Sequence, residues 1–86
     1  MNFVFHKTFK NKLKKISPKD KDHLKGRLAI FLKDHYHPVL NNHALNSKYE
    51  GCGSINVTGS LRAVYILKED GIALFVDIDN HPNLYK

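Results

Sequence analysis

The chain opens on a short alternation, in which Phe3 and Phe5 fall on one side of the segment from Asn2 to His6; this reads as a strand. The period then changes. Phe9, Leu13 and Ile16 recur at helical spacing among lysines, and Leu24, Leu28, Phe31 and Leu32 form a second stripe. Between the stripes, Ser17-Pro18 predicts a fresh helix start. Serine takes the N-cap, where its oxygen accepts an otherwise unpaired amide hydrogen, and proline takes the first turn, where no amide hydrogen is needed. The second helix should end near Asp34 to Tyr36, because the residue before Pro38 is biased away from helical backbone.

The second half follows a strand pattern. Tyr49 to Val57 reads as a strand weakened by Gly51 and Gly53, and Thr58-Gly59-Ser60 as a turn. Leu61 to Lys68 is a strand rich in apolar and aromatic residues, followed by a hairpin turn at Glu69-Asp70-Gly71. Ile72 to Ile78 is the last strand, with Ile72, Leu74, Val76 and Ile78 on one face, and His81 to Tyr85 has room for one helical turn. The order β-α-α-β-β-β predicts an α+β domain over 1–86: a small, mostly antiparallel sheet with an N-terminal helical hairpin packed on one face.

Length and composition narrow what such a domain can do. A chain of 86 residues buries only roughly 60% of its unfolded surface, so an active site is expected as an open cleft. The lone Cys52 excludes an intramolecular disulfide and favours a reducing compartment. No segment has the pattern of a signal peptide or approaches the ~20 apolar residues of a membrane span, so the protein is expected in the cytoplasm, away from membranes. The glycosylation match at Asn56-Val57-Thr58 carries no meaning there. The net charge is +6, and most of the basic residues lie between Lys7 and Lys33. A one-sided basic surface attracts RNA, DNA or an acidic protein; a solvated lysine-rich helix face gives the same composition.

The residues suited to chemistry lie in the other half. Arg62 begins one strand and His81 follows the next, and an antiparallel hairpin brings those two ends together. His43 stands in the loop before the second strand, and Tyr85 near the end of the last segment. Cleavage of RNA by its own 2′-hydroxyl needs a base, an acid and positive charge at the phosphate. Histidine suits the first two roles because its unperturbed pKa is near ~6.5. Arginine suits the third, and an aromatic ring can stack on a base. Asp34-His35-Tyr36-His37 fits no standard metal spacing, and Gly51-Cys52-Gly53 lacks the lysine-serine ending of a phosphate loop; neither metal nor cofactor is expected.

Three stretches resemble one family. His43-Ala44-Leu45 followed by Tyr49-Glu50-Gly51, the run Ser54 to Tyr65, and the ending Asp77-Ile78-Asp79-Asn80-His81-Pro82-Asn83-Leu84-Tyr85 are similar to motifs of the RelE/ParE superfamily of toxins, in its YafQ-like branch. The resemblance covers about the second half of the chain; the first half matches only in pattern and charge. It implies the toxin of a type II toxin–antitoxin system, an endoribonuclease (mRNA interferase) that cuts messenger RNA on the ribosome without metal, and a cognate antitoxin that covers its active surface. It implies catalytic roles for His43, Arg62, His81 and Tyr85, and RNA contacts by Lys10, Lys14, Lys48, Asn56 and Ser60. The chain departs from the family at Cys52-Gly53, where relatives carry an aromatic-arginine pair, at Ser60, where they carry aspartate, at Asn56, where some carry histidine, and at Asp79-Asn80, where they carry glycine-threonine. These departures imply a weakened nuclease that Gly53→Arg would strengthen. A ParE-like gyrase poison and a degenerate module that binds antitoxin or nucleic acid are the alternatives; the pair His43 and His81 argues against the first, and Gly53 supports the second.

Overall fold

The structure, a computed structural model, describes residues 2–46 and 49–84. Strand β1 (Asn2–Phe5) leads into helices α1 (Lys7–Leu13) and α2 (Pro18–Lys33). A 3-10 turn (Pro38–Leu40) leads to β2 (His43–Ala44), and then come β3 (Gly53–Asn56), β4 (Leu61–Leu67), β5 (Ile72–Asn80) and the short helix α3 (His81–Leu84). The α+β class and the order of the main elements are as expected. The strands lie in the order β1-β5-β4-β3-β2, antiparallel throughout except that β1 runs parallel to β5, from Asn2 opposite Ile72 to Phe5 opposite Phe75.

The helix boundaries follow from local chemistry. Ser17 caps α2, its side chain accepting from the Asp20 amide at 3.1 Å, with Pro18 as the first helical residue. The helix stops at Lys33, capped by Asp34. Helix α1 stops at Leu13, so Ile16 packs against the core from just beyond it. Phe9, Leu24, Leu28 and Phe31 press onto one face of the sheet, where they meet Ile55, Val57, Leu61, Ala63, Tyr65, Ala73, Phe75 and Ile78. Phe75 is the hub: its ring lies 5.5 to 6.2 Å from those of Phe3, Phe5, Phe9, Phe31 and Tyr65.

Three expectations are corrected. The segment from Tyr49 to Cys52 is a turn, closed by the Cys52 amide donating to the Tyr49 carbonyl at 2.9 Å, with Gly51 at a positive φ of 86°; the strand begins only at Gly53. His43 lies within β2 and not in a loop. Finally, Ile72, Leu74, Val76 and Ile78 do not share a face. Tyr65 stands opposite Phe75 while Val64 stands opposite Asp77, so Val76 is an extra residue in β5. This bulge shifts the alternation by one, and Ala73, Phe75 and Ile78 are the residues that meet the helices.

Candidate active site

Two cross-strand rows define the other face of the sheet. His43 stands opposite Ser54, Ser54 opposite Val64, and Val64 opposite Asp77. One step along, Asn56 stands opposite Arg62, and Arg62 opposite Asp79. Directly opposed residues of antiparallel strands project from the same face, so both rows look away from the helical layer. The first row is partly roofed. Leu45 and Cys52 from the β2–β3 connection and Leu84 from α3 close over Val64, with Tyr49, Ile66 and Val76 around them. Burial pushes the Cys52 thiol up, away from the reactive thiolate. The second row is the more open: Arg62 is half-buried and His81, which follows β5, is exposed.

At this open end the chain is tightly tied. The His81 amide donates to the Ser60 carbonyl at 2.7 Å. Arg62 Nη1 donates to the carbonyls of Thr58 at 2.9 Å and Gly59 at 3.2 Å, so the guanidinium braces the β3–β4 turn. Arg62, Asn56, Ser60 and His81 are therefore gathered at one end of the sheet. Buried without a partner among the described residues are Asn56 Oδ1, beside Arg62, and the hydroxyl of Ser54.

Beside this end lies a charge cluster. Lys12 Nζ is 2.7 Å from Asp77 Oδ1 and 3.1 Å from Asp79 Oδ2. Tyr49 donates its hydroxyl to Asp77 Oδ2, and Asn83 Nδ2 donates to Asp79 Oδ1 at 2.9 Å. Because β1 pairs with β5 only as far as Phe75, that edge of β5 is not covered by β1 at Asp77 and Asp79, and α1 brings Lys12 to it. Partial burial by itself would pull the Lys12 ammonium down; the two aspartates outweigh it and raise its pKa. Burial works against the charged Asp77 too, but bonds from Lys12 and Tyr49 hold its carboxyl below the usual range. Asp79 is held low chiefly by Asn83, with help from the Asn80 amide and Lys12. Burial, and next the bond to Asp77, push the Tyr49 phenol far up.

The remaining expected residues come from other parts of the chain. His43 is on β2, three strands from β5, or ~14 Å at the ~4.8 Å strand spacing. Its Nδ1 is 2.7 Å from the Asn41 carbonyl; a carbonyl only accepts, so Nδ1 carries the hydrogen and the neutral ring has its lone pair on Nε2. Lys10 and Lys14 are exposed, on α1 and just after it. Lys48 and Tyr85 lie outside the described residues. Sequence reasoning missed Lys12, Tyr49 and Asp77, which only the folded chain brings together.

The surroundings of Gly53 count against the expectation that arginine there would restore activity. It stands opposite Tyr65, whose side chain belongs to the helix-covered core, and a Cβ on Gly53 would come within 2.6 to 2.8 Å of the Tyr65 ring and hydroxyl. A larger residue would have to displace that ring, and its side chain would start from the face opposite Arg62. Among the described residues no three histidine, cysteine, aspartate or glutamate side chains are grouped to hold a metal ion, and no helix is long and apolar enough to cross a membrane.

No family model and no curated protein matches the sequence. Solved structures do match the fold. YafQ from E. coli superposes with a TM-score of 0.80 at 17% identity, over 99% of this chain and 98% of that one. A YoeB/ParE toxin from Agrobacterium tumefaciens gives 0.76 at 12% identity, over 94% and 99%. The toxin–antitoxin complex RelBE2 from Mycobacterium tuberculosis gives 0.63 at 17%, over 92% and 95%.

Proposed function

We infer, from a chain that has the YafQ-like fold of the RelE/ParE toxins, that it is the toxin of a type II toxin–antitoxin pair and an endoribonuclease acting on messenger RNA at the ribosome. The observation that supports this reading is that the backbone carries Arg62 and His81 to the same open end of the sheet, the His81 amide bonded to the Ser60 carbonyl two residues before Arg62. RNA lies along this end with a phosphate against Arg62. The 2′-oxygen attacks the adjacent phosphorus, the bond from phosphorus to the 5′-oxygen breaks, and one proton leaves the nucleophile while another reaches the leaving group. His81 transfers a proton at this phosphate, and Arg62 stabilises the charge that gathers on the non-bridging oxygens. Asn56 and Ser60 contact the same segment of RNA. His43, on β2 and on the same face of the sheet, is the second candidate for the proton transfers. Tyr85, Lys10, Lys14 and Lys48 are further candidates for RNA contact. The site acts in the cytoplasm, and a cognate antitoxin with an acidic segment docks on the basic side of the molecule.

A second reading is favoured by one observation: Asp77 and Asp79 put two negative charges beside the phosphate position. On that reading the chain binds its antitoxin but does not cut. Induced expression followed by primer extension on messenger RNA decides between them. Cleavage by the native chain, reduced about 10²-fold or more in His81→Ala, is the expected result. Folded protein that leaves messenger RNA intact in the presence of ribosomes overturns the nuclease reading.

A further inference from the structure

We propose that Lys12 is a positioning residue for the candidate phosphate site: by holding Asp79, it keeps the guanidinium of Arg62 available to a phosphate. The inference rests on the reading that Arg62 meets the phosphate. Arg62 and Asp79 are directly opposed across β4 and β5 and project from one face. An arginine and an aspartate in that relation pair readily, since the guanidinium fork matches a carboxylate. Here they do not. Asp79 turns to Lys12 at 3.1 Å and to Asn83 at 2.9 Å, and Arg62 turns to the carbonyls of its own turn. Carbonyls are neutral acceptors, so a phosphate can compete for the guanidinium far more easily than it could against a carboxylate.

Lys12 is placed for this task by the fold. It comes from α1, in the helical layer, and reaches an edge of β5 that β1 leaves uncovered. One ammonium bridges both aspartates, so a single side chain offsets the two negative charges nearest the site. Its side chain is 38% exposed, whereas those of Asp77 and Asp79 are 12% and 30% exposed. The cation is therefore more accessible than either carboxylate it holds. Without it, Asp77 still has Tyr49 and the Ile78 amide, but the Oδ2 of Asp79 loses the donor that draws it from Arg62.

The test follows the Arg62 Nε–Hε signal by nuclear magnetic resonance while inorganic phosphate is added to the full chain. In the native protein the signal moves on titration. In Lys12→Met it starts at a different position, reports the new pair with Asp79, and responds weakly to phosphate. Lys12→Met/Asp79→Asn recovers the native response, which a merely structural role for Lys12 would not produce. Should Lys12→Met fail to fold, Lys12→Met/Asp77→Asn removes the charge stranded at the more buried carboxylate and leaves Asp79 to capture Arg62, with the same loss expected. A native-like titration in Lys12→Met, a loss that Asp79→Asn does not repair, or a native signal indifferent to phosphate each overturns the proposal. Primer extension stays independent: cleavage alongside a native-like Lys12→Met titration keeps the nuclease and removes the role of Lys12, and the reverse pattern keeps that role and removes the nuclease.

Discussion

On the helix-covered side of the sheet, five aromatic rings surround Phe75, and the residues beneath the helices are apolar. On the other side, a small cluster of Leu45, Cys52, Val64 and Leu84 shares the surface with Lys12, Asp77, Asp79, Arg62 and His81. The first face gains from every apolar area removed from water, at roughly 25 cal/mol per Å². The second gathers charges whose mutual attraction is partly spent on desolvation. A domain this small packs one face more extensively than the other, so stability is concentrated there and the other face carries most of the charged groups of the candidate site.

The sharpest way to break this division is to strike the hub. Phe75→Ala is expected to cost about 3–5 kcal/mol, read from the urea midpoint, and on a chain of this size that removes much of the total. His81→Ala is the converse: cleavage is lost while the midpoint moves by no more than about 0.5 kcal/mol, because the side chain is exposed. An unfolded His81→Ala protein would show that the two faces are not separable. Gly53→Arg tests which face position 53 serves. Overpacking against Tyr65 should destabilise by about 1–3 kcal/mol and bring no gain in cleavage; a stable, more active variant would put position 53 on the reactive face.

The smallest effect expected is in pH. Asp77 and Asp79 are held below 3.8, so their contribution is complete above that value and lost as pH falls through the lowered folded values. Lys12 is raised above 10.5, so its contribution is complete below that pH and lost as pH rises past it. Unfolding midpoints measured from pH 2 to 6 should fall on the acid side, and Asp77→Asn/Asp79→Asn should flatten that fall. An unchanged acid limb in the double variant would remove the cluster from the stability of the fold.

What the sequence reveals follows the range of each interaction. Ser17-Pro18 caps its helix within three residues, and Leu24, Leu28 and Phe31 are spaced by the helix they form, so both are legible. Arg62 and His81 are legible as neighbours because one hairpin joins them. The bulge at Val76 is not, since an apolar run from Ile72 to Ile78 looks continuous whichever face each residue takes. Nor is β2, whose two residues are set by pairing with Gly53 and Ser54 and not by their own pattern. The bond from Lys12 to Asp79 spans 67 residues, and the proximity of Gly53 to Tyr65 appears only when two strands are laid side by side.

The parallel pairing of β1 with β5 sets a timetable for synthesis. Asn2 is made well ahead of its partner Ile72, which follows only after helices α1 and α2 and most of the sheet have emerged. A contact closed across so much chain forms late, because the entropy of closing the loop comes before its reward. The strand that Arg62 and His81 flank is the same β5 on which β1 must dock. A nascent chain thus carries the lysine-rich helices into solution before it carries a finished sheet. Whatever the completed surface binds, it meets that surface only after β5 has been made and β1 has docked on it.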